Sequence, residues 1–294
     1  MTISIAMATY NGAKYIREQL DSILGQSISD FELVICDDCS TDDTYSILKQ
    51  YAEKDSRITI HKNEKNLGYK RNFEKVIQLT KGEYVALCDQ DDIWANNHLE
   101  VLLNGIEDKM IAAGNSDLID ANGNRIGLTL KQMEAFGYFP KDNMSRALSF
   151  ILFRNPIQGA AMLIRKDFFE KALPIPDEVD YHDAWFSIFS CFWGGMNYVD
   201  EIVNGYRMHE KNVTGHRVQA KSRIRYFIRS IKCDLSYDRV AMISSIKERI
   251  DNPTEKQLQV LNRCEQIIDR NKTLLGRINN ALFRILHFKT IYTI

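Results

Sequence analysis

The sequence predicts an α/β fold in which a mostly parallel sheet is flanked by helices. Short apolar runs rich in strand-forming residues alternate with segments whose apolar residues recur at helical spacing. Short connections between such segments are typical of repeated strand–helix units. With 294 residues, 45% apolar and 26% charged, the chain has room for one large domain or for one domain plus an appendage.

The first half of the chain carries the clearest elements. Four apolar runs predict strands, at Ile3–Thr9, Phe31–Cys36, Ile58–His61 and Tyr84–Leu87. Apolar residues at helical spacing predict a helix after each strand, with faces that include Leu20, Leu48, Phe73 and Leu99. Ser40, followed by Asp43, has the pattern of a capping residue at the start of the second helix.

The pattern is less regular after Ile106. Residues 110–116 suit another strand, and Asn122-Gly123 predicts a hairpin turn. Residues 129–145 are interpreted as a loop, and residues 155–164 as a turn followed by a strand. Trp185 to Trp193 form an apolar helix that we expect to be buried.

Three carboxylates follow the fourth strand directly: Asp89, Asp91 and Asp92. In open α/β sheets, ligands bind at the carboxyl ends of the strands. Clustered carboxylates repel one another unless a positive charge neutralises them, and Mg²⁺ or Mn²⁺ prefers such oxygen ligands. The alternative is a solvated acidic loop, because short acidic turns are common.

Two other strands also end in polar residues, Thr9-Tyr10-Asn11 and Asp37-Asp38. Strand ends on one edge of a parallel sheet are neighbours, so the three clusters together favour a nucleotide site over helix capping alone. No Gly-x-Gly-x-x-Gly or Walker sequence is present, which weakens the common dinucleotide and P-loop interpretations.

These motifs resemble family-2 glycosyltransferases of the GT-A fold, a Rossmann-like architecture. The resemblance rests on Thr9-Tyr-Asn11, Val34–Thr44, Asn66-Leu-Gly68 and Asp89-Gln-Asp-Asp92, and it covers about residues 2–210. It implies a nucleoside-diphosphate sugar donor (dTDP- or UDP-linked), a Mg²⁺ or Mn²⁺ ion, and inversion at the sugar carbon. Asp38 then matches the acid that binds the pyrimidine base. The other implied donor-binding residues are Thr9, Tyr10, Asn11, Gly68, Arg71, Asp89 and Gln90.

The resemblance also implies a metal site and a catalytic base. Asp91 matches the direct metal ligand of the DxD motif, and His209 is a candidate to complete the site. Asp183 matches the general base, although His182 stands where the family often has Glu. From the residues alone, Asp183 could equally be an acid favoured by the helix dipole, Arg71 a solvated helix residue and His209 an ordinary surface residue.

The function predicted from this resemblance is an inverting, metal-dependent glycosyltransferase acting on a glycan or lipid-linked acceptor. The runs Asp89–Trp94, Asn66–Asn72 and Tyr206–His209 look most like bacterial rhamnosyltransferases of surface polysaccharide synthesis. The loop at 129–145 and the backbone at Gln158-Gly159 are expected to border the acceptor. The alternatives are a nucleotidyltransferase and a non-catalytic nucleotide-binding subunit.

Charge divides the chain into two predicted regions, 1–215 as the catalytic domain and 216–294 as a basic helical extension. Residues 215–294 carry 16 Lys and Arg against 7 Asp and Glu, whereas residues 1–214 carry 22 against 32. The extension is expected to pack on the catalytic domain, form a homodimer or contact an anionic membrane surface; no nucleic-acid partner is predicted. Six scattered cysteines and the absence of a signal-peptide or transmembrane pattern predict a cytoplasmic protein, including one peripheral at the inner face of the cell membrane.

Overall fold

The computed structural model describes residues 3–134, 140–152, 155–210 and 237–270. Within these ranges nine strands form one sheet: β1 Ile3–Thr9, β2 Phe31–Asp37, β3 Ile58–Lys62, β4 Tyr84–Cys88, β5 Ile93–Trp94, β6 Ile111–Ile119, β7 Arg125–Thr129, β8 Met162–Arg165 and β9 Met196–Arg207. The helices are α1 Ile16–Leu24, α2 Thr44–Ala52, α3 Tyr69–Leu79, α4 His98–Ile106, α5 Leu130–Glu134, α6 Asn143–Leu152, α7 Phe168–Ala172, α8 His182–Phe192, α9 Tyr237–Arg249 and α10 Glu255–Arg270. The predicted α/β architecture is confirmed.

The sheet has a parallel half and a mixed half. Its strand order is β3-β2-β1-β4-β8-β6-β9-β5, with β7 paired to β6. The strands β1 to β4 are all parallel, as expected for strand–helix repeats. Beyond β4 the order mixes directions, because β8 runs antiparallel between β4 and β6 while β9 returns parallel to β6. The residues just before β8 therefore lie beside the residues just after β4.

Both faces of the sheet are covered by helices, which explains why the central strands are apolar on both sides. Ile5 and Met7 pack on one face with α1, α2 and α4, whereas Ala6 between them packs on the other face with α3, α6 and α8. Successive strand residues point to opposite faces, so a strand buried on both sides must be apolar throughout.

Two predicted boundaries differ from the structure. Helix α2 begins at Thr44 rather than at Ser40, because the Ser40 hydroxyl donates to Asp37 (2.5 Å) and accepts the Asn11 N–H (2.9 Å). The predicted loop at 129–145 contains α5 and the start of α6 within its described part. The predicted hairpin at Asn122-Gly123 is confirmed, since β6 and β7 pair antiparallel around it.

Helices α9 and α10 pack against α6 and α8 on one face of the sheet. Buried side chains on both helices, among them Ile243, Ile246 and Leu261, belong to the same apolar core as α6 and α8. The Arg249 guanidinium lies over the Trp185 ring at 5.1 Å and donates to the Ala172 carbonyl at 2.9 Å. The boundary predicted near residue 215, the basic segment 216–236 and the apolar end 271–294 lie outside the described residues. Among the helices described, none is long and apolar enough to cross a membrane.

Candidate active site

The three polar clusters meet at one edge of the sheet. The strand register places Thr9 opposite Asp37, and Met7 opposite Cys88, so Asp89 follows beside the end of β1. This edge is where parallel sheets bind ligands. The convergence predicted from the three strand ends is therefore present in the structure.

Thr9 and Asn11 hold neighbouring loops together. The Thr9 hydroxyl donates to Asp37 at 3.1 Å, and the Asn11 side-chain oxygen accepts the Thr41 N–H at 2.8 Å. Asn11 has a positive φ of 49°, which asparagine tolerates better than most residues. These two side chains connect the loops that follow β1 and β2. Tyr10, which lies between them in the sequence, is 46% exposed.

Gln90 ties the end of β4 to the end of β1. Its amide oxygen accepts the Tyr10 N–H and its amide nitrogen donates to the Tyr10 carbonyl, both at 2.9 Å. A Cβ atom built on Gly12 would lie 2.2 Å from the Gln90 amide oxygen, so a larger residue there would displace the Gln90 amide from its present position. The side-chain amide of Gln90, which is predicted to bind the donor, therefore forms hydrogen bonds to both backbone groups of Tyr10.

Asp38 is 2% exposed and anchors the turn at Asn66–Gly68. One carboxylate oxygen accepts from the Asn63 amide (2.7 Å) and the Leu67 N–H (2.8 Å), and the other accepts the Gly68 N–H (2.9 Å). An ionised carboxylate has about four acceptor positions, so these three hydrogen bonds leave one of them open. Gly68, with φ 79° and ψ 155°, adopts a conformation that is nearly restricted to glycine.

Lys70 and Arg71 clamp the start of α3 to the segment that leads toward α8. The Lys70 ammonium donates to the carbonyls of Pro176, Asp177 and Val179 at 2.9–3.1 Å. The Arg71 guanidinium pairs with Glu74 and Asp177 and donates to the Ile175 carbonyl at 3.1 Å. Arg71 therefore faces this segment, and its predicted contact with base or diphosphate requires it to leave these partners.

Asp89 and Asp183 are two acids near enough to each other for the charge of Asp183 to act on Asp89. Both retain some solvent access, yet burial raises the pKa of Asp89 to about 7 and that of Asp183 to about 6. The charges of Asp91 and Asp183 raise the pKa of Asp89 further, whereas a hydrogen bond from Gln158 lowers it. Backbone N–H groups of Ala184 (2.6 Å) and Gly159 lower the pKa of Asp183. A carboxylate with a pKa near 6 is suited to general-base chemistry.

Asp91 and His209 form the candidate metal site. The His209 Nε2 atom lies 2.8 Å from the Asp91 carboxylate, and the imidazole stacks on Tyr15 with ring centroids 5.0 Å apart. Two donor atoms at that separation suit adjacent positions on a small octahedral ion, whose neighbouring ligands lie about 3 Å apart. Within the described ranges no group of three His, Cys, Asp or Glu side chains is arranged to hold a metal ion. An ion held by this pair would need further oxygen ligands from water or substrate. The donor set therefore fits Mg²⁺ or Mn²⁺.

Arg207 holds in place the acidic loop that follows β4 and contains Asp91 and Asp92. It is fully buried and donates to the Asp91 carbonyl (2.7 Å) and to Glu18 (2.6 Å), while its backbone N–H donates to Asp92 (3.1 Å). Burial, followed by the charges of Asp91 and Asp89, raises the pKa of Asp92 well above its usual value. Asp92 is 1% exposed and thus supports the loop from inside.

His182 is a buried aromatic support beside Asp183. Its ring stacks on Phe73 at a centroid distance of 4.1 Å, and neither ring nitrogen has a hydrogen-bond partner among the described residues. Burial lowers the pKa of His182 to about 3, so the ring is neutral. A Cβ on Gly159 would lie 2.7 Å from the His182 Nε2. The side of Gly159 on which a Cβ would lie is therefore filled by His182, and the approach of an acceptor to this backbone stays a prediction.

Gln158 is the site residue that sequence reasoning missed. From the sequence, only the backbone at Gln158 is expected to border the acceptor. Its side chain, however, is 7% exposed and donates to the Asp92 carboxylate at 2.5 Å. A lone glutamine before a predicted strand carries no sequence signal of such a role. Only the antiparallel insertion of β8 beside β4 brings it to the acids.

Comparison with known proteins supplies the context for this edge. The family model described as glycosyl transferase family 2 matches residues 4–173. TuaG of Bacillus subtilis (strain 168), whose name assigns it provisionally to teichuronic acid biosynthesis as a glycosyltransferase, is 40% identical over 98 residues, which are 33% of this chain and 39% of TuaG. A second curated relative is matched over 34% of its length, so the chain spans little more than a third of these two relatives.

Two further proteins match over most of the chain. WfaP of Escherichia coli, named as a UDP-Glc:α-D-GlcNAc-diphosphoundecaprenol β-1,3-glucosyltransferase, is 27% identical over 230 residues, covering 78% of this chain and 86% of WfaP. The mannosyltransferase PcManGT of Pyrobaculum calidifontis, solved with GDP-Man and Mn²⁺, superposes with a TM-score of 0.60 at 18% identity, covering 95% of this chain and 73% of PcManGT. At 18% identity, the match to PcManGT shows a shared fold.

Proposed function

The chain belongs to glycosyl transferase family 2, and from this premise we propose that it transfers a sugar from a nucleoside-diphosphate sugar to a hydroxyl group of a glycan or lipid-linked acceptor, with inversion. The observation that carries the proposal is the position of Asp183. This accessible carboxylate, with a pKa raised to about 6, faces an acidic edge that suits a diphosphate-bound cation. A binding protein without catalysis has no need of such a base.

In the proposed reaction, Asp183 accepts the proton of the acceptor hydroxyl. The oxygen forms a bond to the anomeric carbon, while the bond from that carbon to the β-phosphate oxygen breaks and its electron pair leaves with the nucleoside diphosphate. Asp91 and His209 would hold a divalent cation that neutralises the charge on the departing diphosphate. Asp38 would bind the base, and the edge formed by Thr9, Tyr10 and Asn11 would bound the nucleoside.

The proposed donor carries UDP or dTDP. The name of WfaP supports a UDP-sugar and a lipid-linked acceptor, and the name of TuaG supports a role in polysaccharide synthesis. The Mn²⁺ in the PcManGT structure supports the metal. Rhamnose as the donor sugar is a narrower proposal that rests on the resemblance of three motifs alone.

A donor panel tests the proposal most directly. Purified protein with MnCl₂ would be incubated with UDP-, dTDP- and GDP-sugars and a set of lipid-linked and free glycan acceptors, with release of nucleoside diphosphate as the readout. Acceptor-dependent release with at least one donor is expected. Nucleotide binding without release under any combination would favour a non-catalytic subunit.

The pH dependence of turnover is expected to show a descending acid limb. Asp183 acts as a base only when deprotonated, so with its pKa raised to about 6, kcat/KM should fall as the pH drops through 6 and approach a tenfold loss per unit below it. The measurement is initial rate from pH 5 to 8 at saturating MnCl₂, with the far-ultraviolet circular dichroism followed as a control for unfolding. A rate that stays level from pH 7 to pH 5 would contradict the assignment.

The basic C-terminal region is proposed to bind an anionic membrane surface or a second copy of the chain, in addition to the packing of α9 and α10 on the core. The basis is the excess of 16 Lys and Arg over 7 Asp and Glu in residues 215–294. Full-length protein should float with anionic liposomes at low salt and less so at high salt. If the protein does not bind such liposomes and is monomeric by light scattering, packing on the core is the only role that remains for this region.

A further inference from the structure

The segment 173–181 joins α7 to α8 and leads the chain into Asp183, the proposed base. It contains no helix or strand, so its backbone groups must find hydrogen-bond partners elsewhere. Three of its carbonyl oxygens lie 2.9–3.1 Å from the Lys70 ammonium, namely those of Pro176, Asp177 and Val179. A lysine ammonium has three N–H donors, so these three carbonyls use all of them. Lys70 therefore gathers the middle of the segment around one charged group.

Other side chains of α3 hold the two ends of the same connection. The Glu74 carboxylate accepts the Ile175 N–H at 2.6 Å, and the Arg71 guanidinium donates to the Ile175 carbonyl at 3.1 Å. At the other end the Phe73 ring stacks on His182, the first residue of α8, with ring centroids 4.1 Å apart. The first two turns of α3 thus contact this segment along most of its length and the start of α8.

The start of α3 is itself fixed to the donor-binding edge. The turn that leads into the helix donates its Leu67 and Gly68 N–H groups to the Asp38 carboxylate at 2.8 and 2.9 Å. Within the first turn of the helix, the Asn72 amide donates to the Cys36 carbonyl of β2 at 2.8 Å. The start of α3 is therefore a shared support, with the acid proposed to bind the nucleobase on one side and the segment before α8 on the other.

We propose that Lys70 is a positioning residue that holds the segment before α8, and through it Asp183, in place relative to the bound donor. This inference rests on the proposed function, in which Asp183 is the general base. A base must lie within hydrogen-bond reach of the acceptor hydroxyl, and a displacement of about 1 Å can cost about 100-fold in rate. Because the segment uses all three N–H donors of Lys70, this lysine is not assigned to the donor diphosphate.

Lys70→Met tests the proposal, since methionine has an unbranched side chain of similar length and no N–H donor. We expect kcat to fall about 10–100-fold, because Asp183 is no longer held at a fixed distance from the donor. The dissociation constant of UDP in MnCl₂, measured by calorimetry, should stay within about threefold of wild type, since the proposed donor-binding residues are unchanged. Hydrogen–deuterium exchange should become faster in peptides that cover residues 173–181.

Lys166→Met is the matched control, because Lys166 makes the same kind of contact at the other end of α3. Its ammonium donates to the carbonyls of Ile77 and Thr80 and to the Thr80 hydroxyl at 2.5–3.0 Å. Both lysines are half-buried, and they contact opposite ends of a helix of 11 residues, which is about 16 Å long. The two variants should lose similar thermal stability, whereas kcat of Lys166→Met should stay within about threefold of wild type.

The proposal is overturned if the folded Lys70→Met protein keeps the wild-type kcat, or if its exchange over residues 173–181 is unchanged. It is also overturned if Lys166→Met loses as much kcat as Lys70→Met, since the loss would then follow stability alone. A loss of UDP affinity as large as the loss of kcat would make Lys70 a donor ligand instead. If Lys70→Met does not fold, Lys70→Gln, which keeps two N–H donors, takes its place with a smaller expected loss of kcat.

Failure of the proposed function gives a different result. A wild-type protein that releases no nucleotide with any donor would count against that function. The exchange measurement does not depend on turnover, and it would still show whether Lys70 holds the segment, so the two failures are distinguishable.

Discussion

Replacing Asp183 with asparagine is expected to reduce turnover by at least about 10²–10⁴-fold, the range that general-base catalysis contributes. Asparagine retains a side-chain oxygen that can accept the Ala184 N–H, which lies 2.6 Å from the Asp183 carboxylate, so the first turn of α8 should keep this contact. Nucleoside-diphosphate binding should change little, because the proposed metal ligands Asp91 and His209 contact each other at 2.8 Å and are not altered by the substitution. The measurements are nucleotide release, calorimetry with UDP and MnCl₂, and thermal unfolding.

Asp180→Asn is the matched control for this substitution. Asp180 is an exposed acid three residues before Asp183, so its loss should leave turnover within a few fold of wild type. Near-normal turnover in a folded Asp183→Asn protein would move the base to another group. Asp92 and His182 are poorly placed for this role, because both are almost fully buried and burial lowers the pKa of His182 to about 3.

Replacing Asp91 with asparagine is expected to remove the metal dependence of donor binding. The amide keeps the size of the side chain and a hydrogen bond to His209, yet loses the charge that attracts a hard cation. Since loss of an outer partner alone costs about 10–100-fold, loss of a direct ligand should weaken MnCl₂-dependent UDP binding by more than about 100-fold. Calorimetry with UDP in the presence and absence of MnCl₂ measures this directly.

Asp108→Asn provides the control for lost negative charge, because Asp108 is a surface acid that pairs with neighbouring Lys109 at 2.8 Å. His209→Asn is a second variant, expected to raise the MnCl₂ requirement less than Asp91→Asn does. An Asp91→Asn protein that binds UDP with wild-type MnCl₂ dependence would show that the cation, if one binds, is held by other residues.

The parallel half of the fold was predictable because its signals are local. The strand at Ile3–Thr9 has the predicted bounds, and the other three early strands end within one residue of those predicted. β1, β2 and β4 are apolar runs that are largely buried, and β3 lies at the end of the strand order with only Ile58 buried. The mixed half was not predictable in the same way, since the two-residue strand β5 and the placement of β8 depend on partners distant in sequence.

The same distinction applies to the site. The convergence of Thr9, Asp38 and Asp89 follows from the rule that parallel strand ends share an edge. The hydrogen-bond and ion-pair partners of each side chain do not follow from this rule. Arg71 is bound to Asp177 and Gln90 to Tyr10 because chain segments about 80–100 residues apart fold together, and no local pattern encodes those pairings.

The pairing of β5 with β9 has a consequence for how the protein is made. The acidic loop is closed by Arg207 and His209, more than 110 residues after Asp91. At a synthesis rate of about 5–20 residues per second, the nascent chain carries this loop without its closing partners for roughly 6–24 s. The parallel half can fold during that interval, but its carboxylates then face solvent and repel one another. Donor-binding competence is therefore acquired late on the ribosome, after β9 has emerged, and chains truncated before Met196 should fold in part without gaining it.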